Sequence, residues 1–153
     1  MWNKNKSLFL SRILTAVAAG LFFLTLFFIP AIAQWYEDFS DTIGLLSSKS
    51  VVIPMCVGLY IVEAMAFICL WSLHVLLRNI SRNKVFIPEN TSCLRRISWT
   101  LMLAGAAFAG IGIWRSICLF PAVCVVMLGL VIRVLKNVFE EAVEIKSEND
   151  FTI

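Results

Sequence analysis

Hydrophobic residues along the chain gather into four long stretches separated by short polar breaks. The stretches run from about Leu8 to Ala33, Val51 to Leu77, Ile97 to Trp114 and Ile117 to Val138. A helix needs roughly 20 apolar residues to cross about 30 Å of hydrocarbon. Four such helices and their turns consume nearly all of the 153 residues. The pattern predicts one all-α membrane domain over residues 1–153, a four-transmembrane-helix bundle. Pro30 is expected to end or kink the first helix, because its ring clashes with the preceding turn. Pro54 suits the first turn of the second helix, where a missing N–H costs little. Arg115 and Pro121 interrupt what is otherwise a nearly continuous third and fourth run.

Beyond Val138 the pattern becomes amphipathic. Arg133, Lys136, Asn137, Glu140, Glu141, Glu144 and Glu148 recur at spacings of three and four, while Val134, Leu135, Val138, Phe139, Ala142 and Val143 fill the other side. That period predicts a helix continuing out of the membrane into a tail over 139–153. The last residues alternate as a strand would. At the opposite end, a basic start, an apolar core and Ala31-Ile32-Ala33 before Gln34 look like a signal peptide with its cleavage site. The uncharged run Ile13–Ile29 is 17 residues long. Signal cores usually span about 7–15 residues, so the reading adopted is an uncleaved anchor.

Composition agrees with lipid as the main solvent. Hydrophobic residues make up 60% and charged residues 15%, against about 25% charged in soluble domains. The net charge of +3 comes without the basic, aromatic-interleaved stripe of nucleic-acid binders, so no direct nucleic-acid binding is expected. Charge instead reports topology. With the N-terminus inside, the inner side holds Lys4, Lys6, Arg12, Arg78, Arg82, Lys84, Arg95, Arg96, Arg133, Lys136 and Lys146, and the outer side holds Lys49 and Arg115. Eleven against two places both termini inside, in the cytoplasm. Trp35 and Tyr36, and then Trp99 and Trp114, sit where interfacial aromatics belong.

Candidate chemistry is sparse. The chain has five cysteines, no CxxC pair and a single histidine, which argues against a zinc site. Cys56 and Cys118, near the outer helix ends, are a candidate disulfide that spacing alone cannot establish. No catalytic constellation, nucleotide loop, metal set or cofactor motif is present, so a non-enzymatic protein is expected. Glu63 stands near the middle of the second span, where a carboxylate costs about 2.5–3.5 kcal/mol on insertion scales. Tyr60, Thr25 and cysteines are its candidate partners. It reads either as a proton- or cation-responsive site or as a neutral acid bonded to a neighbouring helix. His74 sits at a helix end, within reach of interfacial water. Gly105/Ala109 and Ala106/Gly110 are each four apart, a pattern that lets helices approach closely in lipid.

The long polar loop and the tail form the other candidate site. From Arg78 to Arg96 the charge is +5 − 1 = +4, from Arg78, Arg82, Lys84, Arg95 and Arg96 against Glu89. From Glu140 to Ile153 it is +1 − 5 = −4. A loop–tail subassembly is expected, with Val85-Phe86-Ile87 pairing as a strand with Phe151-Thr152-Ile153. Asn79-Ile80-Ser81 and Asn90-Thr91-Ser92 match glycosylation sequons but fall inside.

The motif Phe86-x-x-Glu89-Asn90-x-x-x-Leu94-Arg95, and Phe139-Glu140-Glu141-Ala142 leading to Glu148-Asn149-Asp150-Phe151-Thr152-Ile153, resemble the bacterial family called domain of unknown function 2975. The resemblance covers nearly the whole chain, with Phe151 where the family commonly has leucine. It implies a small four-span protein of the bacterial plasma (inner) membrane with no established activity, often encoded beside a small helix-turn-helix transcriptional regulator. A regulatory or sensory protein presenting its loop and tail to such a partner is therefore expected. A transport or immunity component, acting as a homo-oligomer with a polar site at Glu63, is the alternative. Membrane lipid is the other expected partner.

Overall fold

The computed structural model describes residues 4–39, 45–46 and 50–151. These form α1 (Lys4–Phe39), α2 (Val52–Ser81), α3 (Pro88–Gly112), one 3-10 turn (Ser116–Cys118) and α4 (Leu119–Phe151), with no strand among the described residues. Three helices, α1, α2 and α4, are long and apolar enough to cross a membrane. α3 falls short of that standard because its first turns are polar. Among the described residues, close contacts between the long helices join chain neighbours only, α1 with α2, α2 with α3, and α3 with α4.

Each pair is antiparallel. Gly58 lies against Ile111, while Leu76 packs with Cys93 and Leu94 at the other end of the α2/α3 seam. Along α3/α4, Gly112 meets Leu119, Gly105 meets Ala122 and Val126, and Ser98 donates its hydroxyl to Gly129 O at 2.9 Å. α3 is therefore covered on two sides by other helices. That explains why it tolerates buried Asn90, Thr91, Ser98 and Thr100. Each of the three hydroxyls finds a carbonyl: Thr91 to Pro88 O at 2.7 Å, Ser98 to Gly129 O at 2.9 Å and Thr100 to Ile97 O at 2.9 Å.

The buried core is split. One cluster, around Ala33, Val51, Met55 and Ile111, closes the end opposite the basic loop; another, around Leu76, Cys93 and Leu94, closes the basic end. Between them an apolar chamber of about 300 Å³ is lined from all four helices, by residues including Phe22, Val62, Thr100 and Val125. The outer faces of α1, α2 and α4 are rich in exposed Phe, Leu, Ile and Val, as a lipid-facing surface requires.

Several expectations need correction. α1 does not stop at Pro30; it continues to Phe39, carrying Trp35 stacked on Phe39 at 5.3 Å. A proline removes one backbone bond, and an apolar environment still favours closing all the others. The segment 34–39, expected as loop, is thus helical; Asp41, Gly44 and Ser47 to Lys49 lie outside the described residues. The strand pairing of Phe86 with Phe151 does not occur. Residues 85–87 are irregular, and α4 stays helical to Phe151; Thr152 and Ile153 lie outside the described residues.

The small-residue face also divides. Gly105 is buried in the α3/α4 seam, but Ala109 is exposed and a side chain at Gly110 would meet nothing within 4 Å. The seam follows Ser98, Met102 and Gly105, a stripe one step around the helix. On α4 its counterpart is Gly129, whose missing side chain leaves room for Ser98 O and Met102. The break around Arg115 is as expected, with α3 ending at Gly112 and Pro121 in the first turn of α4.

Candidate functional site

Two asparagines build the loop between α2 and α3. The Asn90 side chain is fully buried. Its Nδ2 donates to Lys84 O at 2.8 Å and Val85 O at 2.7 Å, and its Oδ1 accepts from Asn79 Nδ2 at 2.9 Å. The backbone closes around the same point, with Lys84 N donating to Asn79 O and Asn83 N to Ile80 O, both at 3.0 Å. Asn83 takes φ 60°, a left-handed conformation that asparagine tolerates better than most residues. Leaving such buried amide groups without partners costs about 1–3 kcal/mol each. The loop therefore has one fixed shape, in which Arg78, Arg82, Lys84 and Glu89 are exposed. Asn90, expected among the residues of the loop–tail subassembly, staples the loop itself, and Asn79, read only as part of a sequon, is its counterpart. Two asparagines eleven residues apart, bracketing a loop that ends in proline, were the available signal.

The loop end of the bundle meets α4 where the tail begins. The ring of Phe86 lies 5.9 Å from that of Phe139, and Arg95 donates to Glu140 Oε1 at 3.1 Å. Lys136 also pairs with Glu140, four residues away on the same helix. The hydrogen bond from Lys136 holds the Glu140 carboxyl below its ordinary value against an opposing desolvation, helped by the charges of Lys136 and Arg95 and by the Arg95 hydrogen bond. Behind these residues a cavity of about 200 Å³ is lined by Arg95, Ser98, Trp99, Arg133, Lys136 and Asn137. The Arg133 guanidinium sits 5.1 Å from the Trp99 ring centroid. Arg96 is exposed on α3, and Glu148 lies on the α4 extension. Asn149, Asp150 and Phe151 are helical in backbone only, their side chains lying outside the described residues with Ile153.

Inside the apolar region Glu63 is buried. Thr25 Oγ1 on α1 lies 3.0 Å from Glu63 Oε1 and 2.8 Å from Phe22 O. A hydroxyl has one proton to give. Both contacts are hydrogen bonds at once either when Thr25 shares its proton in a three-centre bond or when the carboxyl carries its own proton and donates it to Thr25. Tyr60 is 43% exposed and takes no part in the pair. His74 is exposed, 6.4 Å from Trp71 between ring centroids. Cys56 and Cys118 pack against the same core cluster as free thiols.

At the other end, Glu37 of α1 accepts from Ser50 Oγ at 2.9 Å and Val52 N at 3.1 Å, capping the start of α2. Arg115, counted as an outer-loop charge, is buried, its guanidinium donating to Trp114 O at 3.2 Å. No group of three metal-ligating side chains occurs among the described residues.

Comparison with known proteins gives a family and no activity. The family described as "Protein of unknown function (DUF2975)" matches residues 44–153. An uncharacterised membrane protein of Bacillus subtilis (strain 168), YoaS, is 24% identical over 164 residues, covering 99% of each chain. No solved structure matches.

Proposed function

The chain belongs to the DUF2975 family of proteins of unknown function, and from that premise we propose that it is a non-enzymatic regulatory membrane protein. It presents a rigid cytoplasmic surface, the α2–α3 loop held against α4, to a soluble partner. The observation that carries this reading is the fully buried Asn90, whose side-chain bonds to Asn79, Lys84 and Val85 spend structure on fixing the shape of an exposed loop. A connection needed only to return the chain would not require it. The resemblance suggests a small helix-turn-helix regulator as partner.

In this reading all four helices span. α3 lies beside the apolar lengths of both α2 and α4 from Leu94 to Ile111, so it shares their depth. The excess of basic residues at the loop end supports a cytoplasmic position for that end and for both termini. The alternative, a transporter or immunity component with a polar path at Glu63, draws little support. Glu63 is bonded to Thr25, Tyr60 faces outward, and the central chamber is apolar. Such a chamber stays dry.

The test is a photo-crosslinking residue at Lys84 in the full chain, expressed in cells. The expected adduct is a soluble protein carrying a DNA-binding helix-turn-helix, lost when Asn90→Ala unmakes the loop. Adducts only to further copies of the chain would move the reading to the oligomer.

A further inference from the structure

We propose that the basic cavity between α3 and α4 binds the phosphate of an anionic phospholipid in the leaflet at the loop end. Arg95, Arg133 and Lys136 line the cavity. Glu140 is bonded to two of the three, Arg95 and Lys136. The balance is +3 − 1 = +2. Arg133 has no carboxylate partner among the described residues and is held in place over Trp99 at 5.1 Å. Asn137 accepts from Lys136 through Oδ1 at 3.1 Å, which leaves its amide N–H groups to donate. The volume of about 200 Å³ accommodates a phosphate with part of its glycerol. Basic pockets between helices at the cytoplasmic side are a recurring means of holding such headgroups.

A free phosphate would be met by the same donors. The surface next to the cavity favours lipid. Trp99 is half-exposed, at the position of an interfacial aromatic. One turn deeper, Leu103 on α3 and Leu130 on α4 are exposed. Beyond them Ala106 is exposed and Gly110 has open space around it, continuing the face that starts at Trp99. A cation cluster that opens onto a shallow apolar track matches a headgroup joined to an acyl chain. The inference rests on the chain lying in a bilayer and stands apart from the partner-docking reading.

The experiment uses the full chain in neutral detergent. It is titrated with dioctanoyl phosphatidylglycerol, with dioctanoyl phosphatidylcholine or with inorganic phosphate, and bound species are read by native mass spectrometry. Phosphatidylglycerol should be retained about tenfold better than phosphatidylcholine, and Arg133→Gln or Lys136→Gln should remove about that factor, the scale of one charge-assisted hydrogen bond. Arg78→Gln/Arg82→Gln, which removes twice that charge outside the cavity, should leave retention unchanged. Leu103→Trp, which blocks the track without touching a charge, should weaken lipid binding and not phosphate binding. Melting without lipid establishes that each variant is folded. Equal retention of the two lipids, or an equal loss in the Arg78/Arg82 variant, would overturn the site. Displacement of lipid by equimolar inorganic phosphate would reassign it to a soluble anion.

Discussion

The α3/α4 seam and the α1/α2 seam are both antiparallel and both join apolar helices, yet they are closed by different means. At α3/α4 the backbones approach through Gly105 and Gly129, and a buried hydroxyl of Ser98 bonds directly to a carbonyl of the other helix. The seam continues past the apolar region into the Arg95–Glu140 pair. At α1/α2 no glycine sits in the contact; Gly20 has open space where a side chain would be. The helices are held instead by a few points: Glu37 capping α2, the Thr25–Glu63 pair and the cluster around Ala33. Most of α1 faces outward. In lipid, apolar contact alone distinguishes poorly between a neighbouring helix and an acyl chain. Close backbone approach and interhelical hydrogen bonds are therefore what make a seam specific. The family match begins at residue 44, after α1, and so takes in the tighter seam.

The largest effect should come from filling that seam. A β-carbon at Gly105 would collide with Val126 and press on Ala122 O, a backbone atom that cannot rotate away. Gly105→Val should cost about 3 kcal/mol or more, at the top of the overpacking range, and abolish the monodisperse peak on detergent size-exclusion. Gly20→Val and Gly110→Val, where nothing lies within 4 Å, should leave the profile unchanged. Equal damage from Gly110→Val would mean that the small-residue face read from sequence is the packed one after all.

That contrast shows what was legible in the sequence. The spacing of four between Gly105 and Ala109 is genuine, but it does not say which of two adjacent stripes meets a neighbour. The decisive partner, Gly129, lies 24 residues away on a helix whose rotation periodicity does not fix. Length and hydropathy located the helices well because the bilayer imposes both. They misjudged the end of α1, since Pro30 breaks helices in water more readily than it does in lipid. Alternation at the extreme C-terminus suggested a strand over Phe151 to Ile153, yet the amphipathic period before it was the stronger signal and prevailed at Phe151. Asn90 could not be read as a staple from type alone. Its three side-chain bonds run to residues five, six and eleven positions away, a geometry that only the folded loop creates.

The loop comes next in magnitude. Asn90→Ala leaves Asn79 and the carbonyls of Lys84 and Val85 without their partner. At about 1–3 kcal/mol for each group kept from water, and with the carbonyls able to reach solvent once the loop opens, the total should be about 2–3 kcal/mol, confined to this end. Limited proteolysis should then cut at Arg82 or Lys84 faster than in the native chain, while the helices melt as before. Resistance equal to that of the native chain would mean that the loop is held by Phe86 on Phe139 instead.

A smaller effect belongs to the looser seam. Thr25→Val removes the one side-chain bond recorded between α1 and Glu63 and should lower stability by about 1–2 kcal/mol, since Glu63 stays buried. Glu63→Gln should cost less than about 1 kcal/mol, because an amide N–H can donate to Thr25 just as a protonated carboxyl does. The pair of melting curves separates the two charge states. A Glu63→Gln loss exceeding that of Thr25→Val would mean that the native side chain is an anion with a partner of its own.

The smallest effect sits at the exposed end of the tight seam. Glu140 is bonded by Lys136 and Arg95, and its carboxyl titrates below the ordinary value for that reason. A group depressed in the folded state stabilises at pH above its unfolded value, and the benefit disappears as pH falls through the folded one. The clip between the start of α3 and α4 is thus fully present at neutral pH and lost only in acid. Because both partners are solvated, salt should weaken it as well. Glu140→Gln should therefore speed hydrogen exchange at residues 84–87 slightly at neutral pH. The native chain should reach the same rate only when acidified below the normal carboxylate range, and the variant should show no further acid step. An acid step of equal size in Glu140→Gln would place the titrating group elsewhere, with Glu89 at the start of α3 the first to examine.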